Sequence, residues 1–334
     1  MSSLTNAPSS LTSKVRTFNS ESGVAAACFL KGTAVLVGEL GAALMVTGDE
    51  AKAVALHDGA VLAAQGDGKR LVSGSDDGRV VELLADGTVK ELAAHKGRWI
   101  DRVALGPDGS VAYSAGKTAH FKPVKGEARS LEVASSVGGL AFAPKGTRIA
   151  VAHYGGVSFW FPNATDAKPD LFGWKGSHLG VAVSPDGRFM VTTMQEAALH
   201  GWRISDGGHM RMTGYPTRVK SFEFTADGKW LATSGSSEVV MWPFAAKDGP
   251  MGKQPSMLAP SPDARVSVVA THPKDPVLVA GYDNGMVMMV RITDAAEILL
   301  RSPDGSAVTA AGWRSDGGAV VFGTASGSAG LLEF

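Results

Sequence analysis

The residues best equipped for chemistry are the histidines, of which the chain has eight: His57, His95, His120, His153, His178, His200, His209 and His272. Imidazole is the commonest protein ligand for metals, so their spacing decides whether metal chemistry is on offer. No pair has the spacing of a zinc motif, and the single cysteine, Cys28, excludes a cysteine-rich centre. His178, Glu196, His200 and His209 come nearest to a ligand set. Alternate residues of a strand point to opposite faces, and His178 is expected in a loop while His200 sits in a strand. No metal is therefore assigned to them. Glu223 and Lys220 are the main charges in otherwise apolar segments, and Glu223 has no acidic companion for general acid–base work. No glycine-rich loop opens a helix, so no phosphate cradle is expected, and Gly138-Gly139 and Gly155-Gly156 read as turn residues. Met286–Met289 reads as core packing. No catalytic residue and no cofactor are assigned.

The composition narrows the function classes. Apolar residues make up 44% of 334, enough for a large core, and 42 glycines imply many turns. The formal net charge is zero, so no broad attraction to nucleic acid or to an anionic membrane is expected. One cysteine permits no intrachain disulfide and suits a reducing compartment. Cys28 itself reads as a small buried residue of a strand. Met1–Ser13 is rich in Ser and Thr and lacks the charged start and apolar run of a secretory signal. The expectation is a cytoplasmic protein, monomeric by itself, with a flexible tail over 1–13 and a single domain over 14–334.

What positions these side chains is a repeat. Tight turns occur at Lys31-Gly32, Asp67-Gly68, Asp108-Gly109, Lys145-Gly146, Asp186-Gly187, Asp227-Gly228, Lys274-Asp275 and Asp316-Gly317. Their spacing averages about 41 residues, the period of a four-stranded propeller blade. Asp-Gly reverses a chain tightly because glycine takes positive φ at little steric cost. Each turn follows a short apolar strand, such as Gly180–Val183, and precedes a second, such as Arg188–Met194. Third strands follow, as at Ala198–Ile204, and fourth strands, as at His209–Gly214. The last unit stops at Phe334 after three strands, while Lys14–Phe18 is left over at the other end. The pattern predicts an all-β, single eight-bladed β-propeller of four antiparallel strands per blade. The N-terminal strand completes the last blade beside Gly327–Phe334. Seven blades, with one repeat folded differently, is the alternative.

The segment Leu71-Val72-Ser73-Gly74-Ser75-Asp76-Asp77-Gly78-Arg79-Val80 resembles the second strand, turn and third strand of WD40 repeats. His95-Lys96-Gly97-Arg98-Trp99 and His57-Asp58-Gly59 resemble the link that leads into a blade. Trp160, Trp202 and Trp242 fall where the family carries its tryptophan, although Arg203 and Pro243 replace the aspartate that follows it. The resemblance implies a propeller with a partial His–Ser–Asp hydrogen-bond network, in which His57 or His95 joins Ser73 and Asp76 or Asp77.

Strand order sorts the loops onto two faces. The turns between second and third strands share a face with the links from each fourth strand into the next unit. That face collects Trp99, Asp101, Tyr154, Trp174, His178, Gln195, Glu196, Tyr215, Arg218, Glu238, Tyr282 and Asp283. Large rings with charged neighbours make interaction hot spots, so these residues are the expected binding set for a protein or peptide partner. The function expected is a non-catalytic interaction scaffold. The alternative is a metal-binding or hydrolytic propeller with a site at the central channel. On the opposite face Ala245–Ser256 is the longest link inside a unit and reads as a tolerated insertion or a partner-engaging loop.

Overall fold

The computed structural model describes residues 9–164 and 167–334. Strands account for nearly all of the regular structure, and the one helix among the described residues is a single 3-10 turn at Thr12–Lys14. Turn chemistry explains the recurrence. The Asp67 carboxylate accepts the backbone N–H groups of Lys69 and Arg70, both at 2.9 Å, and Gly68 takes φ +84°. Asp186 and Asp227 repeat the device with Arg188 and Lys229, and the Ser184 and Thr225 hydroxyls add a bond to each carboxylate.

In the second repeat, Val61–Gly66, Arg70–Ser75, Arg79–Leu84 and Val89–Ala94 lie side by side in chain order, all antiparallel. Repeats one, three, six and seven follow the same plan. Middle strands are buried on both sides, as in Phe189–Met194, where all six residues are buried. This is why they read as apolar runs rather than alternation. The core lies between neighbouring sheets: Phe189, Val191 and Leu199 pack with Leu231, Trp242 and Phe244 of the next repeat.

First strands line the axis, and side chains stitch each to its neighbour. Gln65 accepts the Leu105 amide, the Ser221 hydroxyl accepts the Val269 amide, and Ser267 donates to the Val308 carbonyl. Thr309 donates to the Val24 carbonyl at 2.6 Å, joining the last repeat to the first.

The closure expected from the sequence is present. Arg16–Asn19 pairs antiparallel with Ser328–Glu333, with Arg16 opposite Leu331 and Phe18 opposite Ala329. Pairing begins earlier than the boundary expected at residue 14. Ser9–Ser10 adds a parallel fifth strand beside Glu297–Arg301, in the sheet before the last. Residues 1–8 of the expected tail lie outside the described residues.

The expectation of eight separate blades is corrected. Among the described residues the strands form seven hydrogen-bonded sheets, so by sheet count the propeller is seven-bladed, with one blade of six strands. Repeats four and five share that six-stranded sheet. Strand structure runs unbroken through Ile149–Trp160 and through Asp170–Val183. Asp170–Val183 pairs with the fourth repeat through its first half and with Phe189–Met194 of the fifth through its second. The physical reason is local. Where other repeats place a polar turn, this one has Gly155 and Gly156, at φ +91° and +143°, and Gly156 lies against the Phe172 carbonyl where no Cβ fits. The strand so extended reaches Asp170–Val183, Tyr154 pairing with Ser177, and that strand runs on without a turn to pair His178 with Met194 of repeat five.

Candidate functional site

The links into the sixth and seventh repeats deliver cations to one place. Thr217, Arg218 and Lys220 precede Phe222–Phe224, and Arg265 precedes Val266–Thr271. With Gln195, Ser234, Ser267 and Asp283 they line a hollow of about 420 Å³. Lys220, Ser267 and Asp283 also line an adjoining space of about 540 Å³ walled by first-strand residues, so the hollow opens into the central channel.

The hollow is held by its backbone. The Ser234 hydroxyl accepts the amides of Lys220 and Ser221, at 3.2 and 3.0 Å, and the Thr217 hydroxyl donates to the Gly235 carbonyl. The Asp283 carboxylate accepts the Arg265 amide at 2.9 Å, and the Asp283 amide donates to the Arg265 carbonyl. The Arg218 guanidinium donates to the Gln195 amide oxygen at 3.0 Å. Among the described residues no carboxylate lies within ion-pair distance of Arg218, Lys220 or Arg265, whereas Arg203, Arg291 and Arg301 each bind an aspartate three residues on.

The residues expected to bind a partner divide. Gln195, Arg218 and Asp283 meet in the hollow. Trp99 and Tyr154 are exposed, at 67% and 57%. Glu196 is exposed and Glu238 half-buried. The others turn inward. Tyr282 is buried and donates to the Ala259 carbonyl, and half-buried Asp101 accepts from the Ser114 hydroxyl. Buried His178 binds the Thr192 hydroxyl at 2.7 Å and meets the Trp174 carbonyl, and Tyr215 is buried against Thr233 and Trp242. Half-buried Trp174 stacks on His200 with ring centroids 4.0 Å apart. His178, expected in a loop, lies within the strand Asp170–Val183, whose continuity carries it into the sheet; Asp101, His178 and Tyr215 are each fastened to a hydroxyl on the second strand of their repeat, so these three brace blades. His57 does likewise with Ser73 and Asp77, at 2.8 and 3.1 Å, which is the partial network the resemblance implied.

Lys220, Arg265, Ser234 and Ser267 were not among the expected site residues. The available signal was position: Lys220 is two residues beyond Arg218, hence on the same side of an extended chain, and Arg265 occupies the matching link one repeat later.

The chemistry set aside on sequence grounds has its geometry too. Both ring nitrogens of His178 are engaged, and the rings of Trp174, His200 and His209 cluster, with centroids 4.0 to 5.5 Å apart. Among the described residues no three His, Cys, Asp or Glu side chains are grouped to hold a metal. Glu223 stands on the channel wall, exposed there to solvent, and its carboxylate accepts the Thr271 amide at 2.7 Å. Burial pushes the Cys28 thiol up to about 12, which disfavours its thiolate. The 245–256 loop folds back on the preceding repeat, with Asp248 bound by Arg203 and the Phe244 and Ala246 carbonyls by Arg188.

His200 sets an acid limit on stability. It is fully buried, neither ring nitrogen meets a protein partner, and burial with nearby cationic groups pushes its pKa down to about 3. Burial also lowers His57 and His178. A folded value below the unfolded one, about 6.5, favours folding above that pH and loses the advantage as pH falls toward the folded value. His200→Phe is expected to add about 1 kcal/mol at pH 7, because two unsatisfied buried nitrogens are removed. It should also flatten the decline below pH 6. Thermal melts from neutral pH to about 4.5 check this, within the His200 window; an unchanged acid slope would contradict it.

No protein-family model matches the chain. Among solved structures it is similar to the computationally designed Ika8 protein, at 19% identity and a TM-score of 0.76, over 95% of this chain and 98% of that one. A likeness at that identity establishes the β-propeller fold and carries no family assignment to WD40.

Proposed function

We propose that this propeller is a non-catalytic interaction module, a divergent relative of WD40 proteins that captures a protein or peptide on the face carrying the channel-mouth hollow. The observation that carries the reading is the exposure of Trp99 and Tyr154 on that face, at 67% and 57%. Large rings left in water on a folded surface are typical interface anchors, because covering them removes much apolar area at small entropic cost. Leu40, 76% exposed in a turn of the same face, adds to the apolar surface on offer. The His57–Ser73–Asp77 and Tyr215–Thr233–Trp242 networks support the WD40 kinship. A hydrolytic site in the channel is disfavoured by Glu223, whose carboxylate is taken by a backbone amide and which belongs to no cluster of three His, Cys, Asp or Glu side chains among the described residues.

The test is recovery of partners from the source cells. Trp99→Ala with Tyr154→Ala is expected to leave stability within about 0.5 kcal/mol, since both are surface changes. It should weaken capture of the main partner by at least about 30-fold, the effect of losing one hot spot. Undiminished capture of every partner by the folded double variant would refute the assigned face.

A further inference from the structure

We propose that the hollow lined by Arg218, Lys220 and Arg265 is the carboxylate-recognition subsite for an acidic peptide. This rests on the reading that the loop face binds a partner, and it names that partner's chemistry. Three cations and one carboxylate, Asp283, border the hollow, leaving an excess of positive charge in a chain of zero net charge. Asp283 is committed to the Arg265 backbone and lies outside ion-pair distance of its guanidinium. The three cations are thus held together without a neutralising partner among the described residues, although the protein pairs its arginines readily elsewhere, as at Arg79–Glu91 and Arg70–Glu82. Like charges held around one space repel each other, and a bound anion relieves that repulsion.

The donors suit a carboxylate. Each guanidinium offers a planar fork that matches two carboxylate oxygens, and Lys220 supplies a point charge deeper toward the channel. The supporting geometry is already formed, since Ser234 and Thr217 fasten the link that carries Arg218 and Lys220. Little ordering is then needed on binding. The hollow continues into the channel space, so the site is longer than a single small anion requires. That extent, with exposed Trp99 and Tyr154 on the same face, favours a peptide carrying several acidic side chains over a lone ion.

The experiment uses the full chain and a fluorescein-labelled peptide of alternating Glu and Gly, read by fluorescence anisotropy. A matching Gln and Gly peptide and inorganic phosphate complete the set. The Glu peptide is expected to bind at least about tenfold more tightly than the Gln peptide, with affinity falling as salt rises from about 50 to about 300 mM. Arg265→Gln should weaken binding about tenfold, Arg218→Gln with Arg265→Gln by more, and Asp283→Asn should strengthen it a few-fold. Opposite signs at Arg265 and Asp283 separate recognition from damage to the fold. Equal binding of the two peptides, or affinity indifferent to Arg265, overturns the proposal. Phosphate binding without peptide binding overturns the peptide as ligand. Recovery of a partner that depends on Trp99 and Tyr154 but not on Arg218 and Arg265 overturns the subsite while leaving the loop face as the binding surface.

Discussion

Deleting residues 1–19 is expected to cost the fold about 4–6 kcal/mol, from lost side-chain burial and lost strand pairing. Phe18 packs among Val24, Ala329 and Leu331, and Leu11 and Val15 pack against the neighbouring cluster of Val320, Phe322 and Leu332. The deletion removes all of these together with the pairing of Arg16–Asn19 to Ser328–Glu333 and of Ser9–Ser10 to Glu297–Arg301. It also removes Arg16, which joins Glu333 at 2.8 Å and Asp49 at 3.3 Å and so spans the junction between the last repeat and the first. The C-terminal strand would then become an open edge, a template for pairing with other chains. Denaturant midpoints and size-exclusion chromatography check the expectation. A truncated chain with an unchanged midpoint and elution would show that closure depends on the core alone.

Tyr215→Phe deletes one oxygen and is expected to destabilise the protein by about 2–3 kcal/mol. The indole N–H of Trp242 donates to the Tyr215 hydroxyl at 2.6 Å; the hydroxyl pairs with Thr233 at 2.7 Å, and Thr233 donates to the Val240 carbonyl at 2.9 Å. All three side chains are buried. Burial pushes the phenol up to about 12, so it stays protonated as the relay requires. Without the oxygen, the Trp242 N–H is left in the core with no acceptor, and that desolvation cost exceeds the worth of an ordinary hydrogen bond. Tyr154→Phe, at an exposed ring, should change stability by less than about 0.5 kcal/mol. Chemical denaturation of the two variants compares them directly. Equal, small effects would show that Tyr215 does not brace its repeat.

That contrast marks where sequence reading reached its limit. Tyr154, Tyr215 and Tyr282 were all expected in loops of one face, and composition treated them alike; in the structure Tyr154 lies within Ile149–Trp160 and Tyr282 ends the strand Val277–Tyr282. Tyr215 and Tyr282 point inward because a hydroxyl or a carbonyl waits for each in the core, at Thr233 and at Ala259. Tyr154 has its backbone engaged, the amide by the Ser135 hydroxyl and the carbonyl by the His153 ring, and its side-chain ring stays in water. Partners of this kind lie 18 and 23 residues away in the chain, so no local pattern announces them. The basic hollow is another example. Arg218 and Lys220 stand on one link and Arg265 on another 45 residues further along, and the ring brings the two links to one mouth.

The amino-acid sequence by itself determined the repeat, the propeller class and the closing of the wheel by its N-terminal strand. Those depend on chemistry acting within a few residues, such as the Asp67 carboxylate binding the amides just after it, and on a count of strands at each end. Tertiary structure alone decided that repeats four and five share a sheet, that His178 and Tyr215 brace blades, and that three cations line one hollow with none of them in an ion pair among the described residues. Sheet continuity and side-chain direction are set by contacts between distant segments, and those exist only once the ring has formed.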